Sequence, residues 1–318
     1  MQIVDTFPFF APYNKELLKL RINLYKDIVD KFIIVEANKT HSGQPVPFQF
    51  LECAEEFDLP MDKIIYIPLH INDSKWLKPV PMDFHNSGGN AEDEKTLLAV
   101  IRERTHRDAL MQALYMFDDD TVFINSDADE IINPIHIRWV AETTKRLDSS
   151  APNVLIKVPL VYLQGRADLR VWDVSRGEKG DWYPWASSAY LATKRKVATF
   201  GFTKIRAGHS GMVPQAPHSH GKPIPDMGWH FSWMGDGKTR RLKARSFCHA
   251  HGEWNGRTYG DKSYQDWLEN SEPAAGKPAP SGEPNHFLKS YPHDQLPDLI
   301  FEDETIRDFL LPYQPEII

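Results

Sequence analysis

Two aspartates, Asp127 and Asp129, closely follow an apolar run at residues 121–125. The run predicts a buried strand, and an Asp-x-Asp at the carboxyl end of a strand can present two carboxylates to one hard cation. Mg²⁺ or Mn²⁺ accepts such oxygen ligands together with the phosphates of a nucleotide, and it neutralises the charge that builds on a departing diphosphate. Three further aspartates at 118–120 are interpreted as a polar turn. The strand-end position therefore favours Asp127 and Asp129 as a site for Mn²⁺ or Mg²⁺.

A histidine in an alternating segment is the third candidate metal ligand. Residues 228–234 alternate strictly, which predicts a strand with Trp229 and Phe231 on one face and His230 on the other. Neutral imidazole suits Mn²⁺ better than Mg²⁺, so His230 could complete the site from a late strand. The alternative is a core histidine that bonds to backbone, because the same pattern describes both.

Polar residues near the end of a second apolar run are candidates for binding a donor nucleotide. The run at 31–37 predicts another buried strand and brings Glu36 and Asn38 to its end, where polar groups can hold a base or a ribose. Arg107 falls in a segment with helical periodicity, roughly residues 92–117, and an arginine there could clamp a diphosphate. The alternatives are a turn in which Asn38 satisfies backbone groups, and surface charge pairs for Arg107.

The elements that must position these residues alternate along the first 130 positions. Apolar runs predict strands at 3–9, 31–37, 63–69 and 121–131, and helical periodicity lies between them. This βαβαβ order predicts a mostly parallel sheet that is flanked by helices and binds ligands at the carboxyl ends of its strands. The later elements are predicted as a helix after Pro134, strands at 154–163, 190–200 and 228–234, and a basic helix at 238–247.

Two long segments, residues 70–94 and 272–285, are predicted as loops. Long loops often serve as lids or acceptor-binding segments, and a surface excursion is the alternative for the second one. Since no clear linker or internal repeat separates the halves, we predict one composite domain over residues 1–318.

The composition is that of a globular protein with a mildly acidic charge balance. The 318 residues include 37 lysines and arginines against 44 aspartates and glutamates, a net charge of −7. Binding to nucleic acid usually needs a basic surface, so no nucleic-acid partner is expected. No stretch approaches the ~20 apolar residues of a transmembrane helix, and the two cysteines provide no disulfide framework. We expect a cytoplasmic protein, either free or peripheral at the inner membrane face.

Six strings together resemble glycosyltransferase family 17. They are DTFPFF (5–10), ELLKLRINLY (16–25), DKFIIVEANKTHSGQPVPFQF (30–50), RERTHRDALMQAL (102–114), NSDADEIINP (125–134) and GWHFSWMG (228–235). The resemblance implies a GT-A-like nucleotide-diphospho-sugar transferase fold and an inverting transfer of N-acetylglucosamine from UDP-N-acetylglucosamine. It places the metal motif at Asp127 and Asp129 and the family's Gly-Trp-His string at Gly228 to His230. Residues 1–133 then form a donor nucleotide-binding half, 134–255 an acceptor-binding and metal-completing half, and 256–318 a C-terminal extension.

An inverting transfer also needs a general base for the acceptor hydroxyl, normally Asp or Glu. Asp226, two residues before the Gly-Trp-His string, is the first candidate, and Glu178 and Asp181 are alternatives. Trp182 and Trp185 could stack on an acceptor sugar, although buried packing explains them equally well.

The acceptor is expected to differ from that of the family's animal members, which act on the N-glycan core in the Golgi. Because the sequence shows no N-terminal anchor or stem, a lipid-linked, polysaccharide or protein-linked acceptor is expected instead. The rival functions are a sugar nucleotidyltransferase and a non-catalytic carbohydrate-binding protein.

Overall fold

The computed structural model of the chain describes residues 1–73, 94–185, 189–208, 210–219, 222–224, 226–251, 253–254 and 257–312. The strands are β1 Ile3–Phe9, β2 Lys31–Ala37, β3 Ile64–Leu69, β4 Val122–Asn125, β5 Glu130–Ile132, β6 Val154–Lys157, β7 Leu160–Gln164, β8 Leu169–Asp173, β9 Asp181–Trp182, β10 Pro184–Trp185, β11 Tyr190–Thr193, β12 Val213–Gln215, β13 His218–Ser219, β14 Lys222–Pro223, β15 Gly228–Ser232, β16 Glu253–Trp254, β17 Arg257–Thr258 and β18 His286–Ser290.

The α-helices are α1 Ala11–Tyr25, α2 Phe50–Glu56, α3 Glu94–Asp108, α4 Pro134–Ser150, α5 Lys194–Phe200, α6 Phe202–Arg206, α7 Gly237–Ser246, α8 Lys262–Asn270, α9 Leu299–Glu302 and α10 Glu304–Leu310. Short 3₁₀ helices occupy Met61–Lys63, Ala109–Met116 and His293–Gln295. Within the described ranges, every helix is too short or too polar to traverse a bilayer.

The first sheet has the strand order β12-β6-β11-β4-β1-β2-β3. Strands β4, β1, β2 and β3 run parallel, and β11 lies antiparallel between β4 and β6. Successive residues of β1, β2 and β4 alternate between two apolar cores, so both faces of this sheet are covered. Helices α1 and α4 pack on one face, and the 3₁₀ helix Ala109–Met116 packs with α6 on the other. This confirms the predicted α/β fold with a mixed, mostly parallel sheet between helices.

The second sheet has the order β18-β8-β7-β15-β5, with β9 paired to β8 and β10 to β7. The chain leaves the first sheet at Asn125 and enters the second at Glu130, so the Asp-x-Asp turn connects the two. Strand β15 runs antiparallel to β5 and places His230 opposite Glu130. Gly228 fits this contact because a Cβ there would collide with the backbone of β5. The topology thereby brings the two predicted metal-binding segments together.

A buried ion pair holds the backbone of the Asp-x-Asp turn between β4 and β5. Asp5 of β1 and Arg21 of α1 are both 0% exposed, and the guanidinium donates to both carboxylate oxygens at 2.6 and 2.7 Å. Arg21 also donates to the carbonyl oxygens of Asp127 and Glu130, at 2.7 and 3.0 Å, and to Ser126 Oγ at 2.8 Å. One buried side chain therefore fixes the backbone of the turn from both ends.

Several predicted elements have different bounds in the structure. The helix predicted for residues 92–117 ends at Asp108 and continues as a 3₁₀ helix, while 154–163 forms two strands that belong to different sheets. Only the first part of 190–200 is a strand, and the rest is α5. The alternation at 228–234 ends at Trp233, whose φ is +58°.

The two predicted loops have different outcomes. Residues 74–93 of the first lie outside the described residues. The second packs along β18, where Lys277 and Leu288 and then Ala279 and His286 are joined by backbone hydrogen bonds. Its backbone is therefore anchored to β18, while residues 274–278 stay exposed.

Candidate active site

Each carboxylate of the Asp-x-Asp turn is paired with cations from other elements. Asp127 Oδ1 lies 2.8 Å from Arg107 Nη1 of α3, and Asp127 Oδ2 contacts Arg206, the last residue of α6. Burial alone would raise the pKa of Asp127, but the two guanidiniums outweigh burial and lower it to about 2. Asp127 is therefore a carboxylate at neutral pH.

Asp129 is held in the same way on the other side of the turn. Its Oδ2 lies 2.9 Å from Lys243 Nζ of α7 and 3.6 Å from His230 Nε2 of β15. Burial opposes ionisation, but Lys243 and His230 hold the pKa of Asp129 well below its usual range. His230 thus lies beside Asp129, and its role as a metal ligand stays a prediction.

Glu130, the residue after the motif, is fully buried and organises the turn. Its carboxylate accepts hydrogen bonds from Asp127 N at 2.8 Å, Trp185 Nε1 at 2.6 Å and Arg206 Nη1 at 2.9 Å. A buried carboxylate with three donors is satisfied in place, so Glu130 acts as a positioning residue. Sequence reasoning missed Glu130, Arg206 and Lys243, and the only available signal was the acidic residue next to the motif.

A first pocket, here called the strand-end pocket, lies where β1, β2 and β4 end. It encloses about 740 Å³ of empty space, part of it open to solvent. Its wall includes the segments that follow these strands together with side chains of α3 and α7. The lining residues are Pro8, Phe9, Phe10, Tyr13, Asn14, Lys39, Thr40, His41, Glu103, His106, Arg107, Asp127, Ala128, Asp129, Lys243, Ser246, Phe247 and Cys248. Its place at the carboxyl ends of parallel strands is where α/β sheets bind ligands.

A second pocket, the aromatic cleft, opens on the other side of the turn with about 1210 Å³ of empty space. The His230 ring stacks on Tyr162 at 5.0 Å between centroids and lies 4.3 Å from the Trp185 ring. Tyr183 and His286 extend this wall, with their rings 4.4 Å apart, and Ser281 and Glu283 of the second predicted loop contribute polar groups. Six residues line both pockets, namely Glu103, Asp127, Asp129, Lys243, Phe247 and Cys248. The Asp-x-Asp turn therefore forms the border between the two pockets.

The donor set at this border suits a metal that is shared with a substrate. Among the described residues, no three His, Cys, Asp or Glu side chains are grouped to hold an ion by themselves. Mg²⁺ sites for nucleotides commonly use one or two carboxylates and complete their coordination with phosphates and water. Asp127 and Asp129 both face the strand-end pocket and fit that pattern, although a metal would have to compete with Lys243 for Asp129 and with Arg107 and Arg206 for Asp127.

Two of the residues predicted to bind the donor lie outside both pockets. The Glu36 carboxylate accepts hydrogen bonds from Gln49 N, Phe50 N and Tyr66 Oη at 2.9, 3.1 and 2.8 Å, which satisfies the start of α2. Asn38 Oδ1 accepts from Ile71 N at 2.7 Å. Both side chains therefore hold backbone segments together, and their part in donor binding stays a prediction. Arg107 and Asp127 do line the strand-end pocket.

The first candidate for the general base is also away from the pockets. Asp226, with φ +54°, forms a two-pronged ion pair with Arg170 at 2.9 Å for each contact and lines neither pocket. Arg170 stacks over Trp182, which packs edge-on against Trp172. Asp226 and Trp182 are thus grouped around Arg170, apart from the Asp-x-Asp turn (hereafter the acidic turn), and both assignments stay predictions.

The remaining predictions for this region divide in the same way. Glu178 and Asp181, the alternative bases, also lie outside the walls of both pockets. Of the two tryptophans predicted to stack on an acceptor sugar, Trp185 lines the aromatic cleft and Trp182 does not. Trp185 contacts Tyr162 and His230 there.

Comparison with known proteins supports a glycosyltransferase. Residues 3–147, which are 145 of the 318, match the model of glycosyltransferase family 17. The resemblance drawn from the sequence is therefore confirmed over this part of the chain. A search among curated proteins finds no match.

Solved structures give weaker similarities. A 4-diphosphocytidyl-2C-methyl-D-erythritol synthase is 10% identical with a TM-score of 0.36, covering 70% of this chain and 92% of its own. The Francisella tularensis 2-C-methyl-D-erythritol 4-phosphate cytidylyltransferase is 11% identical with a TM-score of 0.38, covering 71% and 94%. The glucosyl-3-phosphoglycerate synthase of Mycobacterium tuberculosis, with Mn²⁺, UDP-glucose and phosphoglyceric acid, is 13% identical with a TM-score of 0.31, covering 72% and 70%.

Proposed function

We propose that this protein is a metal-dependent, inverting glycosyltransferase that transfers N-acetylglucosamine from UDP-N-acetylglucosamine to a hydroxyl of a glycan acceptor. The observation that carries the proposal is the acidic turn at the border of two pockets. A transfer between two substrates needs both to reach one point, and this border is such a point. The family match over residues 3–147 supplies the reaction class.

The strand-end pocket is proposed to bind the nucleotide sugar. The residues following β1, β2 and β4 surround it, and Arg107 and Lys243 bring positive charge to its inner end. Asp127 and Asp129 would hold Mn²⁺ or Mg²⁺, with His230 beside Asp129 as a supporting ligand. The bound ion supplies Lewis-acid stabilisation of the departing diphosphate.

The aromatic cleft is proposed to bind the acceptor, which is a lipid-linked, polysaccharide or protein-linked glycan. Tyr162, Trp185 and His230 present contiguous ring surface, and aromatic faces suit the apolar faces of sugars. The hydrogen bond from Trp185 Nε1 to Glu130 ties this surface to the acidic turn. The acceptor is thereby oriented against the same turn that faces the donor.

A carboxylate in the cleft wall is needed to accept the proton of the acceptor hydroxyl. Glu103 and Glu283 line the cleft in addition to the two motif aspartates. Glu103 also lines the strand-end pocket and lies 3.4 Å from Arg107, whereas Glu283 lines the aromatic cleft and not the strand-end pocket, on the loop that packs along β18. We therefore propose Glu283 as the general base.

Calorimetric titration with UDP-N-acetylglucosamine, with and without Mn²⁺, tests the proposal. Wild type should bind the donor in a metal-dependent way, and Asp129→Asn should weaken that binding at least about tenfold, since a charge-assisted contact is worth ~1.5–3 kcal/mol. The matched control is Asp119→Asn, whose side chain is largely exposed and should leave affinity unchanged. Binding that ignores both the metal and Asp129 would refute the metal role. Binding of oligosaccharides without any nucleotide sugar would instead indicate a carbohydrate-binding protein.

A further inference from the structure

Lys243 pairs with the acidic turn and also lies where the two pockets meet. Its Nζ lies 2.9 Å from Asp129 Oδ2, and its side chain is only 16% exposed. It lines both the strand-end pocket and the aromatic cleft, with the ammonium 5.6 Å from the Tyr13 and Trp233 ring centres. A lysine is thereby held at the point where the two pockets meet.

Among the cations at this border, Lys243 is the one best suited to change partners. Arg206 bridges Asp127 and the fully buried Glu130, and Arg107 bridges Asp127 and Glu103. Either guanidinium would have to leave two carboxylates in order to move. Lys243 instead carries one compact charge on a flexible stem and, within the part of the chain that the structure describes, pairs with a single carboxylate, Asp129.

We propose that Lys243 is a ligand of the donor's diphosphate, and that its ion pair with Asp129 is exchanged for a phosphate oxygen when Asp129 turns to a divalent cation. This inference rests on the proposed function of the same site. The exchange conserves charge, because the ion and the diphosphate bring charges that cancel and Lys243 keeps an anionic partner throughout. Because Lys243 pairs with Asp129 in the free protein, its ammonium has an anionic partner before the donor binds.

The assignment has a consequence for the transfer step. The bond between the anomeric carbon and the phosphate oxygen breaks with its electron pair going to the diphosphate, while the acceptor oxygen bonds to that carbon and loses its proton to a carboxylate. Lys243 would then face the oxygen on which negative charge develops. A fixed cation at that place stabilises the transition state.

The test is calorimetric titration of UDP in the presence of Mn²⁺, with uridine and Mn²⁺ alone as separate probes. Lys243→Met keeps the aliphatic stem and should weaken UDP binding by about 10-fold to 100-fold, the usual worth of a hydrogen bond to a charged group. Uridine affinity should not change. Mn²⁺ alone should bind equally well or better, because Asp129 has lost a competing cation.

Two further variants separate phosphate binding from a structural role. Lys243→Arg keeps the charge and should recover most of the UDP affinity, whereas Lys238→Ala, on the exposed face of the same helix, should match wild type. Unchanged UDP affinity in Lys243→Met would overturn the Lys243 assignment alone. Equal losses for UDP and uridine would show that Lys243 only supports the pocket's shape. Failure of the wild type to bind UDP with any divalent ion would refute the proposed function together with this inference.

Discussion

Replacing Arg21 with leucine should both destabilise the protein and disturb the acidic turn. Arg21 is 0% exposed and pairs with Asp5, which is equally buried. The substitution leaves the Asp5 carboxylate without its cation and removes the donor to the Asp127 carbonyl. Burial lowers the pKa of a guanidinium, yet Asp5 outweighs this effect and keeps the pKa of Arg21 above its usual value. Arg21 is therefore charged in the folded protein.

The expected loss in the free energy of unfolding follows from the groups that the substitution leaves buried without partners. Removing one partner of a buried ion pair typically costs ~3–5 kcal/mol, and a buried acceptor left without a donor adds about 1–3 kcal/mol. We expect Arg21→Leu to lose at least about 4 kcal/mol, which is a large fraction of the 5–15 kcal/mol of a typical domain. Lys15→Ala is the matched control on the same helix, since its pair with Glu56 is half-exposed and worth less than about 1 kcal/mol.

Urea unfolding followed by tryptophan fluorescence measures these free energies, and a double-mutant cycle with Asp5→Leu isolates the pair. The double variant should be more stable than Arg21→Leu alone, because it buries no unpaired charge. Any Arg21 variant that stays folded should also bind UDP with Mn²⁺ more weakly, since the turn loses its support. A cost below about 1 kcal/mol, or single effects that simply add, would refute the role given to this pair.

Three other variants have defined outcomes. Glu36→Gln places an amide beside the amide donors at the start of α2, so urea unfolding should show a loss of ~1–3 kcal/mol in the free energy of unfolding. The affinity for UDP should stay within about twofold of wild type. A large loss of UDP affinity would instead support a role of Glu36 in donor binding. Asp226→Asn weakens an ion pair with Arg170 whose carboxylate is 39% exposed. The rate of UDP release from UDP-N-acetylglucosamine should therefore equal that of wild type. Loss of turnover would identify Asp226 as the general base. Burial, His41 and Arg107 lower the pKa of His106 to about 3. Because the pKa of histidine in the unfolded chain is about 6.5, the free energy of unfolding should fall as the pH drops from about 6.5 towards 3, by up to ~1.4 kcal/mol per pH unit. His106→Gln should remove this contribution to the pH dependence. An identical pH dependence in both proteins would contradict the assignment.

The sequence predicted those parts of the site that strand patterns determine. A buried strand followed by Asp-x-Asp fixed Asp127 and Asp129 at a sheet edge, and strict alternation put His230 on the face opposite Trp229. Both signals are local, because side-chain direction along a strand follows directly from residue order. The first four parallel strands were predictable for the same reason.

The remaining parts depend on contacts that have no local signature. Arg206 and Lys243 reach the acidic turn from helices 79 and 114 residues away along the chain. Glu36 lies at a strand end, as the pattern predicts, but its oxygens cap α2 instead of facing the pocket. Asp226 has the carboxylate that a general base needs, but that carboxylate is paired with Arg170, which the sequence does not reveal. Residue type and spacing thus identified candidates, while the three-dimensional partners decided their roles.

The pairing across the acidic turn also sets an order of events during synthesis. Asp127, Asp129 and Glu130 are made well before Arg206 and Lys243, which neutralise them in the finished chain. A ribosome adds about 5–20 residues per second, so on the order of ten seconds separates Glu130 from Lys243. Until Arg206 is made, Arg107 is the one cation of this group available to Asp127, and until Lys243 is made the Asp129 carboxylate lacks its ammonium partner, so burying these charges earlier is unfavourable. The border between the two pockets therefore closes late, only after Lys243 of α7 has been translated.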